Sequence, residues 1–221
     1  MATYYFRNVG TAWNDTASWA LLSSSGASAG VIPTAADAVI FDAGSANACP
    51  VSTTNGVCLS LTTTGWTGTI TLNVNLRVSG GITLSSTTTL AGTGYLGAIA
   101  TGTITATGVT IPYLMVGSGV AMTLTLGGNL TVTKYQLADV GTAVTYTINA
   151  NTINISGDVI FQNYSTGAIQ AGTTVFNFNG TTNIDSIIPN NFSFNNPITI
   201  NTSGTITFGS GFVFGGTAFT Y

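Results

Sequence analysis

The sequence predicts an all-β protein, folded as a parallel β-helix (a β-solenoid) with an N-terminal capping segment. Three observations predict it. Short strands of alternating apolar and polar residues follow one another along most of the chain. Charge is almost absent. Apolar positions in the second half recur at a fixed spacing. An antiparallel β-sandwich or jelly roll is the alternative, because Gly80-Gly81 and Gly127-Gly128 read equally as hairpin turns.

The alternation is clearest where Ile70, Leu72, Val74, Leu76 and Val78 interleave with Thr, Asn and Arg. Period-two patterning of this kind belongs to a strand with one buried face. Gly80-Gly81 interrupts it and Ile82-Thr83-Leu84 resumes it. Similar pieces are Gly102-Thr103-Ile104-Thr105, Met122-Thr123-Leu124-Thr125-Leu126, Leu130-Thr131-Val132, Thr147-Ile148-Asn149 and Gly204-Thr205-Ile206-Thr207-Phe208. Further on, Phe replaces the aliphatics. Val144, Ile160, Phe176, Phe192 and Phe208 are each 16 residues apart, which suggests coils stacked like on like. In such a stack, outward Thr lies on Thr and Asn on Asn, and side-chain ladders add hydrogen bonds. Stacked like charges would repel.

Charged residues make up 4% of the 221, against about a quarter in a typical soluble domain. All six acids are Asp, and there is no His and no Glu. A surface with so little charge favours association, so the expected state is a homo-oligomer. Arg7, Arg77 and Lys134 are scattered and too few to neutralise a run of phosphates, so nucleic acid is not an expected partner. No apolar stretch approaches the roughly 20 residues of a membrane helix, so membrane insertion is not expected. The start, MATYYFRNVG, lacks the charged and apolar regions of a secretory signal.

Residues 1–58 read as a capping or attachment segment and 59–221 as solenoid repeats. Trp13, Trp19, Asp37 and Phe41 are the candidate cap, since an open solenoid end exposes apolar core and unpaired strand edges. The two tryptophans would alternatively stack sugars. Cys49 and Cys58 read as small buried hydrophobes, with a disulfide between them as the alternative.

Catalytic chemistry has few residues to work with. Without His there is no Ser-His-Asp triad and few metal sites. No cofactor, metal or catalytic residue is assigned. Asp15, Asp37 and Asp42 read as turn and cap residues ahead of calcium ligands. Asp139, Asp158 and Asp185 are far apart in sequence, although a solenoid would bring Asp158 near Asp185. Only Lys134 follows Arg77 as a basic companion for such a groove.

The order Tyr4-Tyr5-Phe6, Gly10-Thr11-Ala12-Trp13-Asn14-Asp15, Ser18-Trp19, a Ser/Gly/Ala loop, Pro33-Thr34-Ala35-Ala36-Asp37-Ala38-Val39-Ile40-Phe41-Asp42-Ala43, Cys58-Leu59-Ser60-Leu61 and Trp66-Thr67-Gly68-Thr69-Ile70 carries a resemblance. It resembles the β-rich, tail-fibre-like virion proteins of environmental tailed phages, and in pattern the β-helical bacterial adhesins. The resemblance covers about residues 4–84 and brings no catalytic residue with it. It implies a non-enzymatic structural subunit of a phage particle: a tail fibre, a whisker or a capsid-attached fibre. The resemblance implies as partners the chain itself, in a trimer or a filament, other virion proteins and a host-surface glycan, and as location the virion or an extracellular surface. A bacterial surface filament or adhesin is the alternative, and a glycan-binding or glycan-cleaving β-helix a further one. The ending Phe219-Thr220-Tyr221 falls mid-pattern, so more sequence or a partner subunit is expected there.

Overall fold

The computed structural model describes residues 1–138, 144–162, 169–180, 182–186, 192–202, 205–208, 212–214 and 219–220. It is a parallel β-solenoid. One helical turn, Thr16–Ser18, is the only helix among the described residues. Each full coil contributes a strand to each of three faces. The first coil is Ala38–Asp42, Cys49–Val51 and Gly56–Cys58. The second is Ser60–Thr64, Thr69–Leu72 and Leu76–Val78, and each of its strands pairs in parallel with its counterpart in the first. The third is Ile82–Thr83, Thr89–Gly92 and Leu96–Ala98. In the fourth and fifth, two faces are served by one long strand: Thr110–Val116 after Gly102–Thr105, then Leu130–Ala138 after Met122–Leu126. The sixth again has three strands, Thr145–Asn149, Thr152–Ile155 and Val159–Gln162.

Inward residues form apolar columns. Val39, Leu61, Ile82, Ile104 and Leu126 stack on the first face, and Leu76, Leu96 and Leu114 on the third. All of these are buried. Each removes apolar surface from water, which is the main stabilising contribution here. Outward residues form the predicted polar columns. Thr69 lies beside Thr89, Thr123 beside Thr147, and Asn154 beside Asn177. The Asn177 amide donates to Asn154 Oδ1 at 2.7 Å.

The register bears on three expectations. First, the 16-residue spacing is not the coil. Val39 pairs with Leu61, Leu61 with Ile82, Tyr146 with Gln170 and Gln170 with Phe194, steps of 21 to 24 residues on the first face, while Leu76 pairs with Leu96 and Leu96 with Leu114 on the third, steps of 20 and 18. Phe176, Phe192 and Phe208 belong to strands on three different faces: Val175–Phe178, Phe192–Phe194 and Ile206–Phe208. A step of 16 is two strand-to-strand steps, two thirds of a coil. Second, parallel pairing already runs within residues 1–58: Thr3–Phe6 pairs with Ala38–Asp42, and the first coil pairs with the second on all three faces. Third, the alternation over 70–78 is two strands. Asn73 and Val74 turn a corner, and both of their amides donate to the Val51 carbonyl at 3.0 Å. Val74 stays packed against the core through the corner, so the pattern passes unbroken. Gly80-Gly81 makes no hairpin and feeds Ile82 onto Leu61 in parallel. The described strand pairs are parallel except Thr3–Phe6 with Trp19–Ala20.

Candidate functional site

Two places concentrate side chains that the columns do not explain: the N-terminal aromatic layer and a groove on the outside of the solenoid.

At the N-terminal end, Thr3–Phe6 extends the first face beyond Ala38–Asp42, and Trp19–Ala20 extends it once more. Phe6, Trp13, Trp19, Phe41 and Trp66 then pack together with at most 1% of their surface exposed. Ring centres are 4.9 Å apart for Phe6 and Phe41, 5.0 Å for Trp13 and Trp19, and 4.6 Å for Phe41 and Trp66. The indole of Trp19 donates to the Trp13 carbonyl at 2.8 Å. Edge-to-face and tilted rings form a dense layer, in which the Trp19 N–H is paired and the buried Trp66 N–H is not. It leaves neither tryptophan a face for a sugar. Asp37 lies just ahead of Ala38–Asp42, mostly buried, and accepts three hydrogen bonds. The Ala2 amide donates at 2.8 Å, the Thr34 amide at 3.0 Å and the Thr34 hydroxyl at 2.6 Å. The Thr34 hydroxyl, followed by the Ala2 amide, holds its carboxyl below the ordinary carboxylate range.

Asp15 and Asp42 serve turns. Asp15 accepts from the Ala17 amide at 2.9 Å and the Thr11 hydroxyl at 2.8 Å, and Asp42 from the Gly44 amide at 2.9 Å. Cys49 and Cys58 are free, buried thiols on different faces of the first coil. Each fills an inward column, Cys49 beside Ile70 and Cys58 beside Val78. That placement replaces the alternative disulfide, and burial pushes the Cys58 thiol up to about 12. No cluster of three metal-ligating side chains occurs among the described residues.

The groove lies on the third face, at the corner it shares with the second, and has a volume of about 480 Å³. It runs across four coils. Thr93 comes from the third, Pro112 and Tyr113 from the fourth, Thr133 and Lys134 from the fifth, and Asp158 from the sixth. The register explains the grouping. Tyr113 pairs with Lys134, and Lys134 and Asp158 each precede a paired residue, Tyr135 and Val159. One outward column therefore carries an aromatic, a cation and a carboxylate in succession.

The fourth and fifth coils run straight through this corner, whereas the third and sixth bend. Thr93 to Tyr95 separate the two strands of the third coil, and Ser156 to Asp158 those of the sixth. Bends flanking two straight strands leave a concave strip. Gly92 permits the first bend. Its φ is +101°, and a Cβ there would lie 2.3 Å from the Leu72 carbonyl oxygen.

Tyr113 is fixed in place. Its hydroxyl donates to Gln136 Oε1. The Tyr95 ring meets it edge-on at 5.8 Å between centres. The Lys134 ammonium sits 4.4 Å from its ring centre, an attraction between a cation and the negative ring face. Burial, then the neighbouring Tyr95, raises the Tyr113 phenol above its ordinary range.

Of the later acids, Asp158 lines this groove. Asp185 lies on Thr182–Ser186, with its backbone beside Ile160, so the two are not register neighbours. Asp139 lies outside the described residues. Sequence reasoning paired Lys134 with the acids only as the one base available. It missed Tyr95 and Tyr113, because columns along the stack become visible only once the coil length is known. It also missed a polar insert in the core. The Tyr135 hydroxyl donates to Gln170 Oε1 at 3.0 Å, and Asn196 Nδ2 donates to the Thr174 carbonyl at 3.1 Å. All three polar side chains are buried.

No family model, curated protein or solved structure matches this chain.

Proposed function

We propose that the chain is a non-enzymatic, self-associating structural subunit of a phage particle, serving as a tail fibre, whisker or capsid-attached fibre. The observation that carries this reading is the unbroken parallel stack of uncharged columns. Thr on Thr and Asn on Asn present hydrogen-bonding columns along the solenoid, with only nine charged residues in the chain to hold a second copy away. A stack of this kind grows by adding coils and makes a stiff rod.

The N-terminal segment adds a second support. Leu22 is 88% exposed, with Leu21 and Val31 also exposed, and Leu21, Leu22 and Ala29 line a depression of about 230 Å³. Exposed apolar side chains grouped at the closed end suit attachment to another protein. The phage assignment draws on the resemblance of residues 4–84.

The test is light scattering of the purified chain, combined with immunogold electron microscopy of virions and of host cells. Discrete homo-oligomers and label on virions are expected. A chain that stays monomeric at about 100 μM, or label confined to the surface of uninfected bacteria, would refute the reading.

A further inference from the structure

The interior of the later coils holds a chain of polar side chains that apolar packing does not require. The Tyr135 hydroxyl donates to Gln170 Oε1 at 3.0 Å, and Gln170 Nε2 donates to Asn196 Oδ1 at 3.4 Å. Asn196 Nδ2 donates to the Ile148 and Thr174 carbonyls at 3.3 and 3.1 Å. The Thr174 hydroxyl donates to the Ala150 carbonyl at 2.6 Å. Tyr135, Gln170, Thr174 and Asn196 are fully buried, and the Phe176 ring meets Tyr135 and Phe194 edge-on at 5.3 and 5.0 Å between centres. Apolar side chains of the same shape would fill this space at little or no loss of stability.

We propose that this relay is a register lock: it makes the later coils stack in one order and excludes a molecule slipped by a whole coil. The apolar columns do not make that distinction. Leu130, Ile153, Phe176 and Ile198 follow one another in one inward column. With the sixth coil looped out, Phe176 would lie beside Leu130 and the column would still be apolar. The outward Thr and Asn are interchangeable in the same way. Register is weakly specified wherever the neighbours on offer are equivalent.

The relay does distinguish them, because it spans coils. The seventh coil begins with Ile169–Ala171 and the eighth with Phe192–Phe194. Tyr135 belongs to the fifth coil and Gln170 to the seventh, so the hydroxyl reaches past the sixth. A one-coil slip takes away or adds about 4.8 Å along the stack. That turns the 3.0 Å bond into a clash or a gap. A gap leaves a hydroxyl and a carboxamide unpaired in a dry interior, which costs more than the bond itself contributes. Asn196 carries the check to the eighth coil, since its amide donates to carbonyls of both the sixth and the seventh. The lock acts on folding to a single stack and is independent of what the rod attaches to.

The experiment compares Gln170→Leu with the triple replacement Tyr135→Phe, Gln170→Leu and Asn196→Leu in the full chain. The single change leaves two buried partners unpaired and the triple change removes the relay whole. The single variant should therefore melt about 5 °C or more below the triple one. Register is read by engineered disulfides. Thr147→Cys with Ala171→Cys reports the native pairing. Thr123→Cys with Ala171→Cys reports the slipped one, because Thr123 precedes Thr147 in the same outward column. Paired positions on neighbouring strands are close enough for a disulfide. Cys49 and Cys58 are buried in the first coil, away from both pairs. After mild oxidation, mass spectrometry should find the slipped bridge at least tenfold more often in the triple variant than with the relay intact. The proposal is overturned if the slipped bridge is no more frequent without the relay, or if Gln170→Leu is as stable as the triple variant. It is also overturned if the triple variant fails to fold, since the relay would then contribute stability and not register.

Discussion

Asp37 ties two strand starts together through one carboxylate. Its oxygens accept from the Ala2 amide, ahead of Thr3–Phe6, and from Thr34, ahead of Ala38–Asp42. Asp37→Ala should cost about 1–2 kcal/mol by urea unfolding, the range for losing charge-assisted hydrogen bonds at a partly wet site. The pH dependence follows from the direction of its shift. The folded pKa is lowered, so the contribution is fully present above the unfolded value of about 3.9 and is lost as pH falls through the folded one. Thermal melts of Asp37→Asn should therefore decline less below about pH 4 than those of the wild type. Some decline remains, because Asp15 is also lowered, chiefly by the Ala17 amide. An equal acid decline in both proteins would show that the carboxylate is not the group responsible. In the sequence Asp37 reads only as a turn or cap residue. Its bond to Ala2 is not legible there, since nothing local joins residues 2 and 37.

Corners are where the sequence speaks least clearly. The strands themselves were readable: Met122–Leu126 and Gly102–Thr105 fall where alternation put them. The corner at Asn73 and Val74 was hidden because alternation continues across it. Those at Gly92 and Gly157 were visible only as glycines, without their geometry. That geometry makes a comparison possible between two positive-φ glycines. Gly30 has φ +70° and open space around a would-be Cβ, whereas Gly92 has φ +101° and the Leu72 carbonyl at 2.3 Å. Gly30→Ala should cost about 1 kcal/mol, the strain of a left-handed residue alone. Gly92→Ala should cost about 3 kcal/mol, because backbone and not a flexible side chain blocks the new methyl. Urea midpoints of the two variants measure the difference, and equal midpoints would mean that the bend is not held by close approach.

At the scale of the whole molecule, the fold class was readable and the coil length was not. Apolar positions recur with each strand, and three strands make a coil. Regular spacing therefore finds the strand step sooner than the coil, as Phe176, Phe192 and Phe208 on three faces illustrate. The groove inherits that blindness, because Tyr113, Lys134 and Asp158 become neighbours only at coils of 21 and 24 residues. The true length supports a deletion test. Ile82 and Ile104 occupy equivalent places in consecutive coils, both in the column that contains Leu61. Removing residues 82–103 joins Gly81 to Ile104 and takes out one coil, so Ile104 should stack on Leu61 and Leu114 on Leu76. In a quasi-one-dimensional stack such a deletion removes one repeat and one interface. The shortened chain should keep a β-sheet circular dichroism spectrum and a cooperative melt, with Tm lowered by less than about 10 °C. Removing only 93–103 leaves the chain half a coil out of phase. Every later inward residue then meets the wrong face, and the product should aggregate or melt without cooperativity. If the full-coil deletion fails and the half-coil deletion folds, the columns described here do not hold the molecule together.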